Sequence, residues 1–293
     1  MISPLDILTS ELLRYPLIIA VLIGLTAPVV GTYLVQKRLS LLGDGLGHVA
    51  LTGVAVGWLV GAWITASPAD LLAIPGALAA SVIGAVLIEY VREISHTSRD
   101  VALAILFYGG IAGGVVIIQL AGGTSQNLMG YLFGSLSTVT ALDTVISSVL
   151  AVLVLAIGVG LSGLLAAVTA DEEFARASGL PVRVVNVLIA VLAALTVTLS
   201  MRIVGALMVS ALMIVPVAAA QQVVVGFART MRTAMAIAVV CSLGGLLITV
   251  YVDLPPGGVI VLLTVAAYIL GLSVRALRPA RRLPAVAGPG PTR

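Results

Sequence analysis

Charge and reactive chemistry are what this chain has least of. Only 9% of its 293 residues are charged, where a typical soluble domain carries about 25%. That shortage excludes an ordinary soluble fold. The 60% share of hydrophobic residues and the mean hydropathy of +1.22 point to a polytopic membrane protein. A single cysteine, Cys241, rules out an internal disulfide and any cysteine-cluster metal site. It lies in an apolar run and reads as a small buried hydrophobe. Lys37 is the only lysine, and no glycine-rich phosphate loop precedes it, so there is no Walker A site. G-x-S-x-G and H-E-x-x-H are missing too. Nothing here supports catalysis by this chain alone, and any step driven by ATP would need a nucleotide site on another polypeptide. Aromatic residues are few, at four Phe, seven Tyr and two Trp, which leaves a thin interfacial belt. The net charge of +3 does not imply a nucleic-acid partner, because the cations are sparse and sit in loops and the tail.

What the chain does have is apolar runs of bilayer length. They fall at about 17–35, 44–64, 71–91, 101–121, 142–168, 184–200, 203–225, 233–250 and 257–274. Each approaches the roughly 20 residues that span a bilayer. An all-α protein with eight or nine transmembrane helices is expected, and 184–200 is the run most open to miscounting. The first run leads straight into Lys37–Arg38 without a basic region and cleavage site before it, so it reads as a retained span. Residues 1–16 read as a short interfacial segment, 17–275 as the transmembrane domain, and 276–293 as a disordered Pro-, Arg- and Gly-rich tail.

Charge sets the expected orientation. Five segments, 36–40, 92–100, 169–183, 226–232 and the tail, hold thirteen of the fifteen cations. The loops between them carry Asp70, Asp253 and a single cation, Arg202. By the positive-inside rule the cation-bearing side is cytoplasmic. Nine spans then put the N-terminus outside and the tail inside.

The segment 36–61 carries the polar chemistry. Asp44 and His48 sit inside an otherwise apolar run, four residues apart, and so share one face of a helix. Ionisable side chains at membrane depth are costly and mark function by default. A carboxylate beside an imidazole suits a borderline divalent cation such as zinc, manganese or iron. The competing reading is a structural pair near the interface, since Asp44 lies six residues past Arg38, about 9 Å along a helix. Gly53, Gly57 and Gly61 fall on roughly the opposite side and would admit a close helix neighbour.

Two further stretches stand out. Residues 122–140 are rich in Gly, Ser and Thr, and read as a loop followed by a short helix dipping into the membrane. Residues 169–183 read as a short cytoplasmic helix. Asp171, Glu172 and Glu173 fall in its first turn, Gly179 caps it and Pro181 stops it. Phe174, Ala175 and Leu180 would give it a small docking face, unless it is a plain connector.

Five blocks together resemble the metal-type ABC importer permeases, which serve zinc, manganese and iron: RLSLLGDGLGHVALTGVAVG, YLFGSLSTVT, EEFARASGLPV, RIVGALMVSALMIVPVAAA and DLPPGGVIVLL. The resemblance runs from about residue 17 to 275. It implies a type II ABC importer-like fold and a multi-pass protein of the bacterial inner membrane. It also implies a permease subunit that works as a homodimer, without cofactors of its own. Each copy would bind a cytoplasmic ATP-binding subunit and receive zinc or manganese from an extracytoplasmic metal-binding protein. Asp44 and His48 would be the metal contacts. The helix at about 171–180 would couple to the ATPase through Glu172, Glu173, Phe174, Ala175, Arg176, Ala177 and Gly179. Gly45 and Gly47 depart from the pattern, since relatives often carry Ala and Ser there, and the glycines would loosen the helix. Two alternatives stay open: a secondary metal-ion transporter or channel that uses Asp44 and His48 as a relay, and an ABC permease for metal chelates or cobalamin.

Overall fold

A computed structural model describes residues 11–64, 69–94, 99–122, 125–135, 139–206, 208–252 and 254–277. Among these residues the regular structure is entirely helical. The helices are α1 (Glu11–Gln36), α2 (Leu42–Trp63), α3 (Ala73–Ile94), α4 (Arg99–Leu120), α5 (Ser125–Phe133), α6 (Ala141–Gly160), α7 (Ser162–Ala170), α8 (Glu172–Ala177), α9 (Val182–Ser200), α10 (Val209–Val223), α11 (Phe227–Tyr251) and α12 (Pro256–Leu277).

Eight of them are long and apolar enough to cross a bilayer, and α10 is a shorter apolar ninth. The doubtful run at 184–200 is a full helix, α9. The short element is instead the run at 203–225, which becomes helical only at Val209. The run at 142–168 breaks at Leu161 into α6 and α7. At the N-terminus, Glu11–Pro16 already belongs to α1, and at the other end Ala276 and Leu277 of the expected tail still belong to α12; the rest of the expected interfacial segment, 1–10, and of the tail, 278–293, lie outside the described residues.

In lipid, helices gain little from hydrophobic burial and associate by close packing. The glycines of α2 show how close. A Cβ on Gly53 would lie 2.3 Å from the carbonyl oxygen of Gly76, and one on Gly57 would lie 2.1 Å from that of Leu72. The expected small-residue row therefore packs against α3 and the turn before it. Between helices, Ser81 and Thr198 share a 3.0 Å hydrogen bond and Tyr33 donates to the Gly158 carbonyl.

The segment between α9 and α10 departs from helix for a readable reason. Gly205 has φ +84°, Gly134 has φ +79°, and their backbones interlock. A Cβ on Gly205 would lie 2.2 Å from the Leu132 carbonyl oxygen, and one on Gly134 would lie 1.9 Å from that of Ile203. Ala206 donates to the Tyr131 carbonyl at 2.9 Å and Ser135 to the Arg202 carbonyl at 3.0 Å, so the freed backbone groups find partners. This clamp joins the end of α5 to the start of the α10 approach. It reaches membrane depth, since Ala206 presses its carbonyl against Gly47, about 8 Å inside α2. Irregular backbone at that depth needs protein cover, and Ile203, Val204 and Ala206 are buried.

Several cation-bearing segments make polar contacts at the helix ends. Lys37 contacts Glu172 and Asn186, Glu89 pairs with Arg92, and Arg275 donates to Gln222 at 2.8 Å. The last contact places the end of α10 beside the end of α12.

Candidate functional site

Asp44 and His48 are the third and seventh residues of α2, on one face. The N-terminal dipole of the helix favours a carboxylate in its first turn. His48 is 2% exposed. Among the described residues neither of its ring nitrogens has a hydrogen-bond partner. Its ring meets that of Phe107 edge-on, with centroids 4.3 Å apart. Helix α4 approaches its backbone so closely that a Cβ on Gly110 would lie 2.7 Å from the His48 carbonyl carbon. Thr52, one turn on, donates to the Gly110 carbonyl at 2.6 Å and fixes that contact. Asp44 is half-buried and accepts from the Ser210 hydroxyl at 3.3 Å.

An imidazole buried without a partner forfeits about 1–3 kcal/mol. Here it lies one turn from a carboxylate, with a nitrogen lone pair to offer. Among the described residues no group of three or more His, Cys, Asp and Glu is placed to hold a metal. One chain thus offers two protein donors, too few for a closed four-ligand site.

The expected glycine departures have a structural use. Gly47 leaves room for the Ala206 carbonyl, 2.7 Å from where its Cβ would be, and Gly45 faces Leu106 at 3.3 Å. They bring neighbours closer to the Asp44–His48 turn rather than loosening it.

The coupling candidates lie on α8. Asp171 caps it, accepting from the Phe174 amide at 2.9 Å. At its end Leu180 donates to the Ala175 carbonyl at 3.0 Å and Gly179 to that of Arg176 at 3.1 Å, with Gly179 at φ +79°. That paired closure is a Schellman motif. The expected docking face, however, divides. Ala175 is buried and Leu180 packs against the core, while Phe174 is 71% exposed. Glu173, Arg176 and Ala177 are exposed with Phe174. Six residues are too few to present a broad apolar stripe, so the buried alanine anchors the helix and the outward side is mixed. Glu172 is turned inward. It accepts from Asn186 at 2.9 Å and lies 4.0 Å from the Lys37 ammonium, which also reaches Asn186.

Sequence reasoning missed Ser210, Phe107 and the Lys37–Asn186–Glu172 tie. Ser210 stood inside a quoted block, RIVGALMVSALMIVPVAAA, without a role. It also passed over the partner of Arg202. That guanidinium pairs with Asp143 at 3.6 Å and lies 5.7 Å from the Tyr131 ring centre.

Residues 9–275 match the model of the ABC 3 transport family. The chain is 28% identical over 265 residues to the "Manganese transport system membrane protein MntC" of Halalkalibacterium halodurans, covering 90% of this chain and 88% of that one. It is 27% identical over 269 residues to the "High-affinity zinc uptake system membrane protein ZnuB" of Haemophilus influenzae, covering 90% and 98%. Among solved structures it resembles PsaBC from Streptococcus pneumoniae, with a TM-score of 0.80 and 26% identity over 91% of this chain and 93% of that one. The chain belongs to the ABC 3 transport family, and its apolar helices make it a multi-pass membrane protein.

Proposed function

We propose, from that membership, that this chain is the membrane-spanning permease subunit of an ATP-driven importer of divalent transition metal ions, zinc or manganese, with iron as a further candidate. It works as a homodimer. Two copies of a cytoplasmic ATPase dock on α8, and an extracytoplasmic binding protein delivers the metal. Asp44 and His48 are the contacts that meet the ion in transit. Across a dimer axis two copies would supply two carboxylates and two imidazoles, enough for a tetrahedral or partly hydrated ion.

One observation carries the reading: a buried histidine with both ring nitrogens unpartnered among the described residues, one helical turn from a carboxylate in an apolar helix. A histidine kept for structure would normally have a hydrogen-bond partner. The test is uptake of radiolabelled zinc and manganese into vesicles by the complete transporter, normalised to assembled complex. Asp44→Asn and His48→Gln should each assemble and lose about tenfold or more of uptake, the equivalent of one lost contact of about 1.4 kcal/mol. Wild-type uptake by either variant would make that residue structural.

A further inference from the structure

The carboxylate of Asp44 is not held by its own helix. Its hydrogen-bond partner among the described residues is Ser210, 166 positions away, on α10. Hydroxyls in apolar helices normally fold back onto the carbonyl one turn earlier. This chain follows that habit at Thr32, Thr144, Ser148, Thr196, Thr198 and Ser200. Ser210 does not. It is the second residue of α10, so the residue four places before it, Ala206, precedes the helix. With no helical carbonyl beneath it, the hydroxyl is available to a neighbour.

The approach is built by glycine. A Cβ on Gly43 would lie 2.3 Å from the Met213 methyl and 3.6 Å from Ser210 Cβ, and one on Gly47 would lie 2.7 Å from the Ala206 carbonyl. A side chain at Gly47 would collide with the Ala206 backbone just before α10, and one at Gly43 would displace the Met213 methyl that packs there. The backbone clamp at Gly134 and Gly205 fixes where α10 begins. Three separate features therefore converge on placing one hydroxyl at one carboxylate oxygen.

We propose that Ser210 is a positioning residue that selects the metal: by engaging Oδ1 of Asp44 it leaves Oδ2 as a single metal-facing donor. This rests on Asp44 being a transit ligand. An ionised carboxylate has two oxygens and can serve an ion through one or both. One oxygen beside an imidazole suits zinc, which takes few ligands in a tetrahedral set. Manganese prefers oxygen-rich, higher-coordinate surroundings. Removing the hydroxyl frees both oxygens and should move the balance toward manganese.

The experiment uses the complete transporter in vesicles, with zinc and manganese each measured as substrate and as competitor of the other. Ser210→Ala should change the zinc-to-manganese ratio of apparent KM by about fivefold or more in favour of manganese, at an unchanged amount of assembled complex. Ser210→Thr, which keeps the hydroxyl, should keep the wild-type ratio. An unchanged ratio in Ser210→Ala overturns the proposal. So does an equal loss for both metals that Ser210→Thr does not restore, since that is a packing effect. Asp44→Asn separates the two readings. If it loses uptake while Ser210→Ala keeps its ratio, only the role of Ser210 falls. If Asp44→Asn transports normally, the site itself is elsewhere.

Discussion

Replacing Lys37 with Met should loosen α8, the proposed coupling helix, without unfolding the membrane core. The Lys37 side chain is 6% exposed and its ammonium touches both Asn186 and Glu172. These three residues come from the end of α1, the start of α9 and the start of α8. They are the polar fastening between α8 and the core, beside the apolar anchor Ala175. A fully buried pair broken on one side costs about 3–5 kcal/mol. The value here is smaller, because Glu172 is 32% exposed and retains Asn186 at 2.9 Å and Arg176 at 3.9 Å. What is lost is closer to one hydrogen bond to a charged group, about 2 kcal/mol. That raises the undocked population of α8 roughly thirtyfold. Hydrogen exchange across 171–180 in the assembled complex should therefore quicken by that order, while exchange in α1 and α9 stays near wild type. In vesicles the metal moved per ATP hydrolysed should fall, because the helix no longer moves with the core. The double variant Lys37→Met with Glu172→Gln should be less damaging than the sum of its parts. Strict additivity, or unchanged exchange in 171–180, would refute the fastening.

Two predictions concern packing. Arg202 and Asp143 form a pair with side chains 12% and 4% exposed, and Asp143 also accepts from the Thr140 amide at 2.9 Å in a capping box. Arg202→Met should destabilise the protein by about 3 kcal/mol, and adding Asp143→Asn, which removes the charge but keeps an acceptor for Thr140, should recover part of that loss; thermal unfolding in detergent reads both, and equal midpoints for the single and double variants would contradict it. Gly57→Val should cost about 1–3 kcal/mol through overpacking, because its Cβ would fall 2.1 Å from the Leu72 carbonyl, whereas Gly109→Ala, with nothing within 4 Å of its Cβ, should be neutral or slightly stabilising.

The membrane crossings were legible because two independent signals agreed. Apolar run length gave the helices, and the thirteen cations, by the positive-inside rule, gave the expected sides. Their failures share one cause. Leu161 breaks an apolar run with no charge or proline to mark it, only Gly160, Ser162 and Gly163 beside it, and the late start of α10 depends on Gly205 meeting Leu132 across the fold. Hydropathy reports whether a residue tolerates lipid. It does not report whether another backbone is interlocked with it. The C-terminal cap of α8 was readable for the opposite reason, since Gly179 acts on its own helix, whereas Asp171, expected inside the first turn, is its N-cap.

The same division explains the site. Asp44 and His48 were visible because an acid and an imidazole are expensive in an apolar helix, whichever neighbours they have. Ser210 was invisible because a serine in such a helix ordinarily satisfies itself one turn back, and its hydroxyl becomes a site feature only where a helix begins at membrane depth. That beginning is set by the glycine clamp, which no periodicity reveals. Phe107 is hidden likewise, one aromatic among apolar residues until α4 is laid against His48. Local sequence thus identifies the donors that would meet an ion, whereas the groups that orient them belong to a chain contact between residues 44 and 210. On the proposal made for Ser210, the choice of metal depends on how the carboxylate is oriented as well as on donor type, since imidazole suits zinc and carboxylate oxygen suits manganese. It follows that permeases sharing an Asp–His pair can differ in selectivity through the residue that holds the carboxylate, and position 210 is where this chain would register such a difference.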